Sequence, residues 1–203
     1  MAKKPQDGAP KAEPNEEAKP EEALSPQDSF KLDLYFWLQA MSMALILLIV
    51  AFMLFGRIIG VDGSSMLPTL HHGDLLLLQS LGYEPQAGDV VVLNKSFGSI
   101  HEPIVKRVIA LGGQRVDIDY RAGTVSVDGQ VLDEPYLAEA MEPPSYEHIT
   151  TVEVPEGSIF VMGDNRNHST DSRYPELGVV DQRYVLGRAL FVFLPFSSLG
   201  AVA

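Results

Sequence analysis

Three stretches of this chain carry residues able to do chemistry. The first is Gly63-Ser64-Ser65-Met66-Leu67-Pro68-Thr69-Leu70. Pro68 lacks an amide hydrogen, fixes its own φ and biases Leu67 toward an extended shape, so Ser65 is expected on a short, stiff, non-helical segment. Gly63 lets the backbone approach whatever Ser65 attacks. Alone the pattern is weak, because most serines between Gly and Pro bond only their own backbone. The second stretch is Ile104-Val105-Lys106-Arg107-Val108-Ile109-Ala110-Leu111. Strand alternation sets Ile104, Lys106, Val108 and Ala110 on one face and Val105, Arg107, Ile109 and Leu111 on the other. One of the two charges must then enter a buried or half-buried surface, unless the strand is an edge guarded by its lysine. Burial disfavours an ammonium and frees a neutral amine to act as general base. The third stretch runs from Gly163 to Arg173, eleven residues with almost no apolar side chain between two hydrophobic runs. A plain surface loop can look like this. Equally, Asp164, Arg166, Asp171 and Arg173 alternate in sign and can cross-link the loop into a scaffold that holds Ser169 or another hydroxyl.

The elements that must position these residues follow from patterning. Leu34–Phe55 is a charge-free run of 22 residues, polar only at Tyr35, Trp37, Gln39 and Ser42. As a helix it is about 33 Å long, enough to cross a hydrocarbon core. The aromatic cluster Tyr35-Phe36-Trp37 suits a headgroup layer. The run is too long for the apolar part of a cleaved signal peptide and no small-residue cleavage site follows, so a retained anchor over residues 30–56 is expected. Residues 1–29 hold five Pro, four Lys and seven Asp or Glu, and their only large aliphatic residues are Met1 and Leu24. Such a stretch cannot offset its ordering entropy and reads as a disordered tail. Its lysines, with Lys31, favour a cytoplasmic N-terminus.

Residues 57–203 are long enough for one compact domain. Short β-branched or aliphatic runs punctuated by Gly, Pro and Asp predict strands near 75–78, 90–93, 104–111, 116–119, 124–127, 130–132, 151–154, 158–162 and 185–194. Asp128-Gly129 reads as a two-residue hairpin. No convincing 3.6-residue period occurs, so the expected fold is mainly β, with coiled mixed sheets behind a single transmembrane helix. The net charge of −12 argues against a nucleic-acid surface, and the absence of Cys excludes disulfides, thiolate metal sites and a Cys nucleophile. The adjacent His71 and His72 make a poor metal pair and read as turn histidines.

Together the three stretches resemble the bacterial type I signal peptidases, the membrane-bound leader peptidase family. The family's serine box, S-M-x-P-T-L, stands here as Ser65-Met66-Leu67-Pro68-Thr69-Leu70. Its lysine box, K-R-V with a small apolar run and a Gly, stands as Lys106-Arg107-Val108-Ile109-Ala110-Leu111-Gly112-Gly113. Its third box, close to G-D-N-R-D-N-S-x-D-S-R, matches Gly163 to Arg173. Gly88-Asp89-Val90-Val91 and the stretch from Gly187-Arg188-Ala189 to Pro195-Phe196 are also similar to family segments.

The resemblance implies that Ser65 is a nucleophile and Lys106 its general base. Ser169 would be the hydroxyl that orients the amine, Asp171 and Arg173 a supporting ion pair, and Arg107 a structural partner of the same loop. Backbone amides in the Gly63-Ser64-Ser65 region would hold the oxyanion, because Gly63 stands where some members carry a hydroxyl donor. Asn167-His168 replaces the common Asp-Asn, and Gly112-Gly113 the common Pro-Gly. The implied activity is removal of signal peptides, with small residues at their −1 and −3 positions, from exported preproteins. Membrane lipid is an implied partner; no nucleic acid, cofactor or metal is expected. The catalytic domain would lie on the extracytoplasmic face. Two rivals are the related Ser/Lys self-cleaving repressors, whose DNA-binding head is missing here, and a non-enzymatic, membrane-anchored β-domain that binds exported proteins.

Overall fold

The structure, a computed structural model, describes residues 26–145 and 148–202. The expected disordered tail lies outside the described residues as far as Ser25. Helix α1 spans Pro26–Phe55, so it starts four residues before the boundary read from composition. Pro26 suits a first helical position, where its missing amide hydrogen is not needed, and Asp28 faces the positive end of the helix dipole. The helix is apolar on all sides rather than along one stripe, a pattern that suits a large core or a bilayer. Its described large apolar side chains are exposed, Trp37 to 71%, and Gln27–Phe52 is long and apolar enough to cross a membrane.

The remaining chain forms two sheets. The larger contains β1 (Gly56–Gly60), β2 (Leu75–Gln79), β3 (Val90–Leu93), β4 (Ile104–Leu111), β9 (Ser158–Met162), β10 (Val180–Asp181), β11 (Val185–Leu194) and β12 (Gly200–Ala201), in the order β1-β2-β11-β3-β4-β9-β10 with β12 on β11. The smaller contains β5 (Arg115–Asp119), β6 (Thr124–Val127), β7 (Gln130–Val131) and β8 (Thr151–Glu153), ordered β7-β6-β5-β8. The chain is mainly β, as its sequence pattern predicts. The sheets are not mixed, however: every strand pairing among the described residues is antiparallel. Parallel neighbours need long crossovers, usually helical, and among the described residues the connections carry no helix longer than a three-residue 3-10 turn. Asp128 and Gly129 both take positive φ, +53° and +79°, the geometry of a type I′ hairpin between β6 and β7.

The strands bury their side chains in three clusters. Val90 and Val92 of β3 join Leu76, Leu78, Met66 and Leu70 in one. Val91 and Leu93 join Val108, Ile159 and Val161 in a second. Both faces of β3 are therefore covered, which explains its unbroken apolar run. The third cluster packs β5 and β6 against Ile109, Ala110, Phe160 and Met162. Strand β4 takes part in all three and is no edge: β3 pairs along one side and β9 along the other, with a bulge between Val108 and Ala110.

Candidate active site

Ser65 opens a short, non-helical turn. Leu67 N donates to Ser64 O at 3.2 Å and Leu70 N to Met66 O at 2.9 Å, closing a pair of tight turns. The turn is anchored below by Met66 and Leu70, each 1% exposed, and each such burial contributes about 1.5–3 kcal/mol. At its ends Val61 exchanges backbone bonds with Asp74 (2.8 Å) and Gly73 (2.9 Å). Gly63 sits at φ +95°, a left-handed conformation that a side chain would resist.

Lys106 reaches this turn from β4. Its Nζ donates to Ser65 Oγ at 2.7 Å and to Val105 O at 2.9 Å. Neighbouring Arg107 leaves on the opposite face, where Nε and Nη2 bind the two Asp164 oxygens at 2.9 and 2.7 Å. Its Nη1 donates to Gly88 O at 2.8 Å, and the Tyr136 ring lies 4.0 Å from its guanidinium carbon. In a strand that is no edge, alternation buries at least one of the two charges; both are buried, at 3% exposure. The serine turn covers one, and the loop after Gly163 with Tyr136 covers the other. Burial pulls the Lys106 amine down to about 8, with Arg173 acting in the same direction and Asp171 and Asp164 opposing.

The Gly163–Arg173 loop closes the site. Arg173 grips Asp171 through Nε (2.8 Å) and Nη2 (2.9 Å), and Asp171 also accepts from Gly163 N at 2.9 Å. Burial works to raise the Asp171 carboxyl; the charge and hydrogen bonds of Arg173 outweigh it and hold the group below its ordinary value. Asn165 N donates to Ser65 O at 3.0 Å and Asn165 Nδ2 to Ser64 O at 3.1 Å, so the loop and the serine turn are tied directly. A Cβ on Gly163 would stand 2.3 Å from Ser169 Oγ and 2.4 Å from Ser65 O. Only glycine allows that approach. Ser169 is 6% exposed; its hydroxyl is near enough to Asp171 to help hold that carboxylate ionised, yet no described group meets it at hydrogen-bond geometry. The Lys106 bonds in this structure go elsewhere. Ser172 differs: its Oγ accepts from Val161 N and its N donates to Val161 O, both at 3.0 Å, so it fastens the loop to β9.

Gly63 N donates to His72 Nδ1 at 3.3 Å, so that amide is engaged. The amides of Ser64 and Ser65 have no partner among the described residues. An open cleft of about 320 Å³ runs over the pair, walled by Asp62, Ser64, Ile104, Glu102 and His168. On the cleft side, β9 pairing stops at Arg107–Met162, leaving residues 104–106 of β4 without a sheet partner there.

The family model described as Signal peptidase, peptidase S26 matches residues 34–194, most of the chain. The chain belongs to the S26 signal peptidase family. A probable signal peptidase I-1 from Synechocystis sp. is 42% identical over 149 residues, covering 69% of this chain and 72% of that protein. Signal peptidase I of Bacillus licheniformis is 37% identical over 179 residues, covering 83% and 93%. A crystal structure of a signal peptidase I from Enterococcus faecalis V583 aligns over 52% of this chain and 97% of that one, with 32% identity and a TM-score of 0.43.

In this family member the sequence reading missed two partners of the site. Thr69 Oγ1 donates to Asp164, 95 residues away. Glu134, outside every box, pairs with Arg166. Neither has a local signal; Glu134 lies in an irregular acidic stretch that reads as solvated. The departure at Asn167-His168 divides in two. Asn167 accepts from Glu142 N and donates to Glu139 and Ala140 O, a packing role. His168 lines the cleft.

Proposed function

We propose that this chain is a membrane-bound serine endopeptidase that removes signal peptides from exported preproteins, with Ser65 as nucleophile and Lys106 as general base. The observation that carries the reading is the 2.7 Å bond between Lys106 Nζ and Ser65 Oγ, made by an amine whose burial pulls it to about 8. A serine hydroxyl is a weak nucleophile until a base takes its proton. Neutral Lys106 accepts that proton as Oγ attacks the carbonyl before the scissile bond. The ammonium then protonates the departing amine, leaving an acyl-enzyme on Ser65. The amine next takes a proton from water, whose hydroxide attacks the ester; release of the signal peptide restores the hydroxyl. The unengaged Ser64 and Ser65 amides are the candidate oxyanion donors. Ser169 is assigned the task of orienting the amine, and Asp171 with Arg173 that of holding Ser169 still.

An extended substrate fits the unpartnered stretch of residues 104–106 as an added strand. Helix α1 anchors the chain in the membrane, with the N-terminus cytoplasmic, residues 57–203 extracytoplasmic and lipid as partner. The test is cleavage of a preprotein by the purified protein, with Ser65→Ala and Lys106→Ala as controls. Cleavage after a small −1 residue, lost in both variants that still fold, is the expected result. Binding without cleavage would instead mean a β-domain that only holds exported proteins.

A further inference from the structure

We propose that Glu134 is a positioning residue for the Ser65–Lys106 reaction, acting through Arg166 on the loop that carries Asp164, Ser169 and Asp171. The inference rests on the catalytic reading above. Glu134 stands in the irregular segment after β7, 32 residues before its partner. The pair is dry: the Arg166 side chain is 0% and the Glu134 side chain 7% exposed. Arg166 Nη1 donates to Glu134 Oε2 at 3.0 Å, and Nη2 donates to Oε1. Buried guanidinium and carboxylate groups persist only when paired, and the two-pronged arrangement fixes direction as well as distance.

What Arg166 holds makes the pair more than a brace. Its Nε donates to Gly163 O at 3.2 Å, and its own carbonyl accepts from Arg173 Nη2 at 2.7 Å. Arg173 grips Asp171, which in turn accepts from Gly163 N. Gly163 is the residue against which Ser169 Oγ and Ser65 O are pressed, so a shift of this carbonyl reaches both. The same segment braces the other arginine of the site. Tyr136 donates to Glu134 Oε1 at 2.8 Å and lays its ring over Arg107, the partner of Asp164. Three buried arginines thus face three buried carboxylates: Arg107 with Asp164, Arg173 with Asp171, and Arg166 with Glu134. Two of those carboxylates belong to the loop itself. Asp164 ties the loop to β4 through Arg107, and Glu134, the one carboxylate of the three from outside the loop, ties it to the segment after β7.

The experiment compares wild type with Glu134→Gln, Glu134→Asp and Tyr136→Phe in the full chain, by steady-state cleavage of a preprotein and by thermal melting. Glu134→Gln keeps the shape and removes the charge. Its kcat should fall 10- to 100-fold, the scale on which a displacement of about 1 Å acts, while KM stays within about twofold. Glu134→Asp should recover part of the loss. A Gln variant that is folded at the assay temperature and turns over like wild type overturns the proposal, as does a rise in KM at constant kcat. If the Gln variant melts below the assay temperature, Tyr136→Phe decides. It deletes one hydrogen bond to Glu134 and keeps the ring; kcat a few-fold lower at constant KM supports the proposal, and unchanged kcat overturns it. Wild type that cleaves nothing overturns the catalytic reading itself, a result distinct from active wild type with an indifferent Glu134.

Discussion

Lys106 is held where an ammonium is disfavoured, and two measurable consequences follow. The amine can accept the Ser65 proton only when neutral, so the acylation rate should climb with pH through about 8 and level off above it. A single-turnover profile centred near 10, where an unperturbed lysine titrates, would contradict this. The second consequence concerns stability. A folded pKa below the unfolded one penalises folding at low pH, and the penalty fades as pH rises from about 8 to the unfolded value. At 1.36 kcal/mol per pKa unit, the burden below pH 8 is on the order of 3 kcal/mol. Lys106→Met should therefore be inactive yet at least as stable as wild type at pH 6, with its advantage shrinking by pH 10. Denaturant titrations at the two pH values check it; a variant less stable at pH 6 than at pH 10, relative to wild type, would refute the account.

The two loop serines separate by their partners. Ser172 Oγ accepts from Val161 N, so Ser172→Ala orphans a buried amide and should cost about 1–3 kcal/mol of stability with little change in kcat. Ser169→Ala should cost less stability than that variant, because Ser169 Oγ lies near Asp171 without meeting any described group at hydrogen-bond geometry. Its kcat should fall, by about 100-fold on the scale of losing a positioned acid–base partner. The reverse pattern would mean that the loop register implied by the family resemblance is wrong. Ser65, Lys106 and the loop pairs were legible because their chemistry contrasts with apolar neighbours in the chain. Thr69 and Glu134 were not, since a threonine in a turn and a glutamate in a loop acquire meaning only from partners 95 and 32 residues away.

At the scale of elements, the strands with strong aliphatic runs were readable, and so was the Asp128-Gly129 hairpin. Strands β1, β10 and β12 were not, being two to five residues long and, for β1, bounded by Gly56 and Gly60. Such segments form because β2, β9 and β11 offer partners, which is tertiary information. Local sequence likewise carries little on strand direction, and the expected mixed sheets proved antiparallel. The fit of the serine turn to the loop is equally a product of the assembled sheet. Gly163→Ala tests it: the added methyl would meet Ser169 Oγ and Ser65 O at less than contact distance, and one is backbone. The neighbours must shift, at about 1–3 kcal/mol for overpacking, and turnover should fall with them. A Gly163→Ala enzyme of wild-type kcat would show the close approach to be dispensable.

At the scale of the whole chain, the helix and the β-rich part rest on different physics. Helix α1 suits hydrocarbon, because its apolar side chains encircle it. Among the described residues, the three apolar clusters of the β-rich part draw on side chains from Ile59 to Val202 and on none from α1. A fragment of residues 56–203 retains β1 and every cluster, so it should unfold in one cooperative transition, within a few degrees of the full chain in detergent. Circular dichroism melts measure this, and an unfolded fragment would mean that the β-rich part is not an independent domain. The fragment also separates chemistry from delivery. Ser65, Lys106, Glu134 and the Gly163–Arg173 loop all lie within it, so kcat on a short soluble peptide should match the full chain. A preprotein embedded in a vesicle is different. An anchored enzyme meets it at the effective concentration of a shared membrane, which a soluble fragment loses. The kcat/KM of the fragment on that substrate should fall well below that of the full chain, and equal values on both substrates would refute a role for α1 in bringing enzyme and substrate together.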